Sequence, residues 1–254
     1  MNAQITAITN QKGGVGKTTS AVNLAASLGL LNKKVLLVDL DPQGSATSSL
    51  GISKKSLRFS VADLLIGGCR PDSALVHTEF EGLDLLPANI MLAATEFDLI
   101  EKDDAEAHLR KALSTVRDDY DFIVLDCPPS LGMLTVNAMV ACDCVVIPMQ
   151  CEFFALEGLV QLMTTIGQLK RRYNPRLAIA GILVTMHNGR LALSKDVLAE
   201  LKKHYPDRVF ETKISRNPRL SEAPGFGVPV YYHDKLSQGS KEYLRAAKEL
   251  LDRV

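Results

Sequence analysis

A loop rich in lysine and glycine near the amino terminus carries the clearest chemical signal. The segment Asn10–Thr19 reads NQKGGVGKTT, follows an apolar strand-like run at Ile5–Ile8 and opens a run with helical spacing. Glycine permits positive φ and close backbone approach, so several N–H groups of such a loop can point at one anion. The positive end of the following helix adds to this attraction. An ordinary glycine-rich turn is the alternative, but the position between strand and helix favours a polyphosphate cradle.

Two side chains of this loop are suited to specific roles in binding a polyphosphate. Lys17 supplies a positive charge for the β- and γ-phosphates, and the Thr18 hydroxyl suits a Mg²⁺ ligand. The standard template G-x-x-x-x-G-K-[ST] requires a glycine at position 11, where this chain has Gln11. The chain instead carries an additional lysine, Lys12. Phosphoryl transfer gains from added positive charge, so Lys12 can serve its own ATP, act on the ATP of a second subunit, or simply face solvent.

Carboxylates follow two other strand-like runs. Asp126 ends an apolar run, where a carboxylate can hold Mg²⁺ through water. A helix cap is the alternative, but Pro128-Pro129 makes that geometry awkward. Asp39 and Asp41 flank Leu40 at the end of another apolar run, and Asp41 comes just before Pro42. We expect Asp39 to face Mg²⁺ and Asp41 to orient the attacking water, although one of the pair could be only a turn former.

The elements that position these residues alternate along the chain. Strands are predicted at Ile5–Thr9, Val35–Asp39, Leu83–Pro87, Phe122–Asp126, Cys144–Met149 and Ala178–Thr185, and helices at Thr18–Leu31, Asp104–Arg117, Met133–Ala141, Leu156–Arg172, Ser194–His204 and Gly239–Arg253. Runs of consecutive apolar residues are typical of parallel strands that are covered on both faces. This alternation predicts an α/β fold, a doubly wound and mostly parallel sheet with helices on both faces, in one domain over residues 1–254. Phosphate chemistry then sits at the carboxyl ends of the strands.

Composition narrows the class further. No stretch approaches 18 uninterrupted apolar residues, which argues against a membrane span, and the early first strand leaves no room for a signal peptide. Five cysteines, an odd number, favour reduced cytosolic thiols. The net charge is zero, yet residues 1–164 hold 12 Lys and Arg against 20 Asp and Glu, whereas residues 165–254 hold 17 against 9. This asymmetry suggests a basic face for an anionic polymer, with solvated helix faces as the alternative.

The motifs together resemble the ParA/MinD family of ATPases, which carry a deviant Walker A loop. The loop reads KGGVGKT, and further matching blocks are VDLDPQG at 38–44, LDCPPS at 125–130, PMQCE at 148–152 and SRNPRLSEAP at 215–224. These blocks occur in family order and span nearly the whole chain. Within the family the chain is most similar to the short chromosomal ParA type, also called Soj.

The resemblance implies an ATP- and Mg²⁺-dependent enzyme that forms a nucleotide-sandwich dimer. Lys12, Lys17 and Asp41 are the implied catalytic residues, with Lys12 reaching the partner's ATP, while Thr18, Asp39 and Asp126 are assigned to Mg²⁺. The ATP-binding residues are predicted to be Lys12, Gly13, Gly14, Val15, Gly16, Lys17, Thr18, Thr19, Glu152, Met186, Asn188, Arg216, Asn217 and Pro218. Glu152 is expected to reach the ribose or the partner subunit. The chain departs from the family pattern at Ser215, where proline is common.

The resemblance also implies a function in DNA segregation. Arg190 and Arg219 match arginines that the family uses for sequence-independent DNA binding, and Lys195, Lys202, Lys203 and Arg216 could widen the patch. We expect a cytoplasmic, nucleoid-associated partition ATPase that binds double-stranded DNA as an ATP-dependent homodimer and is stimulated by a ParB-type protein.

Two rival functions belong to other classes. A MinD-like membrane ATPase would need a carboxyl-terminal amphipathic anchor, but residues 243–254 contain acids and lack Phe and Trp, so we expect no membrane partner. An iron–sulfur reductase resembling the nitrogenase iron protein would need exposed cysteine ligands, and no cysteine here is followed by glycine as in those cluster loops.

Overall fold

The computed structural model describes residues 3–254, which form a seven-stranded sheet. The strands are β1 (Gln4–Ile8), β2 (Val35–Asp39), β3 (Val76–His77), β4 (Leu83–Leu86), β5 (Phe122–Asp126), β6 (Cys144–Gln150) and β7 (Ala178–Thr185). Their order in the sheet is β3-β4-β2-β5-β1-β6-β7. Only the β3–β4 pair is antiparallel within this part of the chain. The predicted mostly parallel sheet is confirmed.

Helices connect these strands. They are α1 (Lys17–Leu30), α2 (Ser45–Ser49), α3 (Val61–Leu65), α4 (Pro71–Ala74), α5 (Met91–Ile100), α6 (His108–Leu113), α7 (Met133–Ala141), α8 (Ala155–Arg172), α9 (Ala192–His204), α10 (Pro218–Glu222), α11 (Val230–His233) and α12 (Gln238–Arg253). Short 3₁₀ turns lie at Ala105–Ala107, Arg117–Asp119 and Ala223–Phe226.

Helices cover both faces of the sheet, as the doubly wound prediction requires. Successive residues of a strand point to opposite faces of the sheet. Leu36 and Val38 of β2 therefore belong to one apolar cluster, and Val35 and Leu37 belong to the other. The first cluster contains buried residues of α3 to α9, and the second contains those of α1, α2, α11 and α12. The two clusters sandwich the sheet between layers of helices.

The prediction of one helix over Asp104–Arg117 was wrong. Asp104 has a left-handed backbone with φ of 53°, and only α6 is α-helical between two 3₁₀ turns. The side chain of Asn137 on α7 donates to the Ala105 carbonyl at 2.8 Å and accepts from the Leu109 N–H at 3.0 Å. These tertiary hydrogen bonds take backbone groups that a continuous helix would have paired internally.

The register of the three central strands positions the chemistry. Ile8 of β1 pairs with Asp126 of β5, and Asp126 in turn pairs with Asp39 of β2. The three strands therefore end at one level. By strand alternation, both aspartates face the same side of the sheet as Ile8, which packs in the cluster that contains α1.

A buried glutamate of α12 fixes the chain segment at Ser215. Glu242 of α12 is 5% exposed and accepts hydrogen bonds from the Ser215 N–H and hydroxyl, both at 2.8 Å. Gln238 donates to the same carboxylate at 2.9 Å. A proline at 215 would supply neither donor of Ser215, so the departure from the family pattern at this position has a structural role in this chain.

We expect Ser215→Ala to lower the free energy of unfolding by about 1–2 kcal/mol, because it removes the hydroxyl donor from a buried carboxylate but keeps the N–H. Ser215→Pro removes both donors and should cost about 2–3 kcal/mol. Urea unfolding at neutral pH measures both, with Ser221→Ala on the exposed side of the same segment as the control. Equal stability of all three variants and the wild type would contradict the structural role.

Candidate active site

The loop between β1 and α1 has the backbone of a phosphate cradle. Gly14 and Gly16 have φ of 71° and 84°, a left-handed conformation that favours glycine. α1 begins at Lys17 without a side-chain cap, so its first N–H groups remain available to an anion. A Cβ added at Gly13 would meet no atom within 4 Å, so this part of the loop is open.

Neighbouring strands brace the loop. Gln150 at the end of β6 donates to the Gly14 carbonyl at 2.7 Å, and Thr185 at the end of β7 donates to the Val15 carbonyl at 2.7 Å. The side-chain oxygen of Asn10 accepts from the Lys12 N–H at 3.0 Å. The loop shape is therefore fixed before any ligand binds.

Lys17 is nearly buried at the base of the loop. Its ammonium group donates to the Lys12 carbonyl at 2.9 Å. Burial lowers the pKa of Lys17 below its usual range, and the negative charge of Asp126 acts against that shift. The Lys12 carbonyl accepts a hydrogen bond from only one of the three N–H groups of the Lys17 ammonium, so the other two remain available to a phosphate.

Asp126 is the electrostatically incomplete group of the site. Its two carboxylate oxygens are buried and have no hydrogen-bond partner within 3.5 Å among residues 3–254, although the Thr18 hydroxyl lies close enough to lower the pKa of the carboxyl. Burial raises the pKa of Asp126 well above its usual range, and the neighbouring Asp39 carboxylate adds to this shift. An unpaired buried carboxylate is costly, and a bound divalent cation would satisfy it. The residues present therefore fit Mg²⁺, with Asp126 and the nearby Thr18 hydroxyl as oxygen donors.

Asp39 is better satisfied than Asp126. One of its oxygens accepts from the N–H and the hydroxyl of Thr47 on α2, both at 2.8 Å, and the other accepts from the Asp41 N–H at 3.1 Å. Burial still raises the pKa of Asp39 to about 6. Asp39 thus anchors α2 beneath the site, and its role as a direct Mg²⁺ ligand stays a prediction.

The groove above these residues has two connected parts. The first, about 420 Å³, is lined by the loop glycines together with Lys17, Thr18, Asp41 and Pro129. The second, about 310 Å³, shares Gly16, Thr19, Met186 and Pro224 with the first, and Thr185, Ile214, Ser215, Arg216, Asn217, Leu220, Ser221 and Tyr243 complete its lining. The shape suits a nucleotide with its phosphates at the loop and its base between β7 and α10.

The predicted base-side residues divide into two groups. Met186, Arg216 and Asn217 line the second part of the groove. Asn188 and Pro218 lie outside both parts. Asn188 is exposed and accepts from the Arg190 N–H at 3.1 Å, and Pro218 begins α10. Contacts of the last two residues with a nucleotide stay predictions.

Lys12 lies at the rim of the loop and does not line the phosphate part of the groove. Its ammonium group forms an ion pair with Glu152, and both side chains are about half exposed. Gln11, at the position where the standard template has glycine, donates to the Gly158 carbonyl at 3.1 Å and the Gln161 side chain at 3.0 Å on α8. The rim of the loop is thereby tied to α8, next to the exposed Phe153 and Phe154.

The two predicted DNA-binding arginines have different surroundings. Arg190 is exposed in the loop after β7. Arg219 on α10 pairs with Glu222 at 2.7 Å and Asp234 at 3.4 Å. Lys202 and Lys203 also have acidic neighbours, at 3.3 and 3.4 Å. Among residues 3–254, Arg190 has no carboxylate partner of the kind that competes for Arg219.

Sequence reasoning missed three residues of the site. Thr47 bonds Asp39, Thr185 braces the loop, and Tyr243 lines the base side while its hydroxyl contacts Ser20 at 3.1 Å. The position of each of these three residues in the site results from tertiary packing. Thr185 alone had a signal, because it ends a predicted strand next to Met186.

Comparison with known proteins identifies the family. A family profile described as "AAA domain" matches residues 3–179. The sporulation initiation inhibitor protein Soj of Bacillus subtilis is 49% identical over 247 residues, covering 97% of this chain and 98% of that protein. The chromosome partitioning protein ParA of Caulobacter vibrioides is 46% identical over 252 residues, covering 98% and 94%.

A solved structure agrees with the fold and the kind of site. The cobyrinic acid a,c-diamide synthase of Mycobacterium smegmatis, with a bound ATP analogue and magnesium, superposes with a TM-score of 0.86 at 38% identity and covers 98% of this chain and 94% of that one. The relatives named for chromosome partitioning are more similar in sequence. With its lysine-bearing loop, paired aspartates and groove in one place, the chain belongs to the ParA/Soj family of P-loop ATPases.

Proposed function

We propose that this protein is a partition ATPase that binds and hydrolyses Mg²⁺-ATP, dimerises in the ATP state, binds DNA without sequence preference and is stimulated by a ParB-type partner. The observation that carries the proposal is the pair of buried aspartates, with Asp126 unpaired, beneath a lysine-bearing loop. The unpaired carboxylate of Asp126 needs a cation, and the lysine-bearing loop of N–H groups needs an anion. Mg²⁺-ATP supplies both.

The residues of the loop bind the phosphates. The N–H groups of residues 13–19 surround the phosphate chain, and Lys17 exchanges the Lys12 carbonyl for a phosphate oxygen. Thr18 and Asp126 would hold Mg²⁺ through their oxygen atoms, and Asp39 would add negative charge to this site. Bound Mg²⁺ neutralises charge on the phosphate oxygens. Asp41 lines the phosphate part of the groove and orients the attacking water.

Lys12 completes the site of a second copy. In one chain its ammonium pairs with Glu152 at the rim, and Lys12 does not line the phosphate part of the groove. The open space at Gly13 and the exposed Phe153 and Phe154 leave this rim free for a partner. In the dimer Lys12 leaves Glu152 for the partner's ATP and adds positive charge where the transition state needs it.

DNA binding follows dimerisation. Arg190 and Arg219 contact phosphates, and a dimer presents each of them twice, so ATP-driven dimerisation raises DNA affinity. Leu220 and Ser221, which line the base side of the groove, follow Arg219 on α10, so this arginine would lie close to a nucleotide bound there. We therefore place the protein on the nucleoid in the cytoplasm.

A membrane function has less support. No helix within residues 3–254 is both long and apolar enough to cross a membrane. The apolar side of α12, with Tyr243, Ala246, Ala247 and Leu250, is buried in the cluster that contains α1. An anchoring role for α12 would have to expose this core.

The first prediction separates nucleotide binding from turnover. Lys17→Ala should lose nucleotide affinity, because the cradle loses its charge. Asp41→Ala should still bind ATP but hydrolyse it at least tenfold more slowly, since the water is no longer oriented, so its dimer should persist. Fluorescent-nucleotide titration and size exclusion with ATP measure both. A strictly monomeric Asp41→Ala protein would count against the assignment.

The second prediction concerns DNA. Replacing Arg190 and Arg219 with Ala removes up to about four phosphate contacts from a dimer, so the slope of log affinity against log salt should flatten by roughly three to four units. ATP binding and dimerisation should remain. The measurement is a salt titration of the ATP-bound form on two unrelated duplexes.

Arg171→Ala combined with Arg176→Ala is the matched control, because it removes the same charge from exposed positions near the carboxyl end of α8, away from the groove. An unchanged slope in the Arg190/Arg219 variant would move the DNA surface elsewhere, to the Lys195–Lys203 part of α9. Strong preference for one duplex would contradict non-specific binding.

A further inference from the structure

An apolar face of α5 stands uncovered in the described structure. Ile90, Met91, Phe97 and Ile100 are 66, 61, 74 and 58% exposed, whereas Leu92 and Leu99 on the opposite side are fully buried. Ile90, Phe97 and the exposed Ala94 between them lie along one side of the helix, with Met91 and Ile100 at its edges. We call these five residues the α5 face. Apolar side chains grouped in this way on a protein surface mark an interaction site.

The surroundings of the α5 face are acidic. Residues 96–106 contain six Asp or Glu and one lysine. Asp98 and Glu101 are exposed beside Phe97. Lys102 approaches the Ile66 carbonyl at 3.5 Å, and Lys111 pairs with Asp104 at 2.9 Å, so the negative charge near Phe97 is left largely uncompensated. A ligand for this surface needs an apolar stripe flanked by positive charge.

Hydrogen bonds link α5 and the residues before it to two segments next to the nucleotide site. The Thr47 hydroxyl that donates to Asp39 also accepts from the Ala88 N–H at 2.9 Å, two residues before Ile90. At the other side, Glu96 of α5 accepts from the Leu134 N–H at 3.2 Å, in the segment that follows Asp126. These hydrogen bonds offer a route by which a change at α5 can act on Thr47, the partner of Asp39, and on the start of α7, which follows Asp126 in the chain.

We propose that the α5 face docks a basic, amphipathic segment of a partner protein, and that docking changes the rate of ATP hydrolysis through Thr47 and Glu96. This proposal rests on the proposed function, since it gives the stimulating partner a surface. A second copy fits the surface less well. A symmetric contact would place the acidic residues of the two copies against each other, and like charges in an interface oppose association.

The test uses a fluorescein-labelled helical peptide of about 18 residues, with leucines along one side and lysines along the other, and a second peptide with glutamates in place of the lysines. Fluorescence anisotropy with nucleotide-free protein should show binding of the lysine peptide. Phe97→Ser and the double variant Asp98→Lys, Glu101→Lys should each weaken it about tenfold or more. Leu236→Ser, at an equally exposed leucine away from α5, should bind like the wild type.

Exchanging the charges between the protein surface and the peptide makes the test specific. The double lysine variant should prefer the glutamate peptide, which the wild type does not bind. The lysine peptide should also raise ATP hydrolysis by the wild type several-fold, but not that by Phe97→Ser, whose unstimulated rate stays normal.

Three results would overturn the proposal. Equal peptide binding by all variants would show non-specific attraction, binding without a change in hydrolysis would refute the coupling, and loss of the ATP-dependent dimer in Phe97→Ser would assign the α5 face to a second copy. Failure of the proposed function is recognised separately, because the wild type would then neither dimerise with ATP nor bind DNA.

Discussion

The burial of two carboxylates side by side is the constraint on which the rest of this structure depends. Parallel pairing of β1, β5 and β2 in register brings Ile8, Asp126 and Asp39 to one level of the sheet. Both aspartates lie on the α1 side, and Asp126 has no hydrogen-bond partner in the described chain. Such an arrangement costs free energy without a ligand, because two neighbouring carboxyl groups are removed from water and the pKa of each is raised. Cations favour the charged carboxylates, and Lys17 already acts on Asp126 in this way.

The same constraint explains why the loop is rigid and its lysines are placed differently. Strands β6 and β7 hold the loop carbonyls through Gln150 and Thr185, so Lys17 stays close enough for its charge to act on Asp126. Lys12 lies at the rim, in an ion pair with Glu152 on the surface. Surface ion pairs of this kind contribute only about 0–1 kcal/mol, so an incoming phosphate can displace Glu152 at small cost. One chain thus holds a nearly complete phosphate site and one spare, easily released lysine.

Much of the fold and the centre of the site could be predicted from the sequence. The apolar runs before Asn10, Asp39 and Asp126 fixed both the parallel strands and the place of the phosphate loop, because strand ends in such a sheet meet at one edge. The broken helix at Asp104 could not be predicted, since the side chain of Asn137, distant in sequence, takes its backbone groups. The ion pairs of Lys12 and Arg219 were missed for the same reason: both depend on where a partner residue lies in space.

The central claim, that Lys12 acts on the ATP of a second copy, is tested most directly by mixing subunits. Lys12→Ala subunits keep the cradle, and Lys17→Ala subunits keep Lys12. Each protein alone should hydrolyse ATP poorly, but mixed dimers contain one site with an intact cradle and a partner Lys12, so mixing should restore part of the activity. Differently tagged subunits, purified together, establish that mixed dimers form. Mixed dimers that form but show no gain in hydrolysis over either parent would contradict the claim.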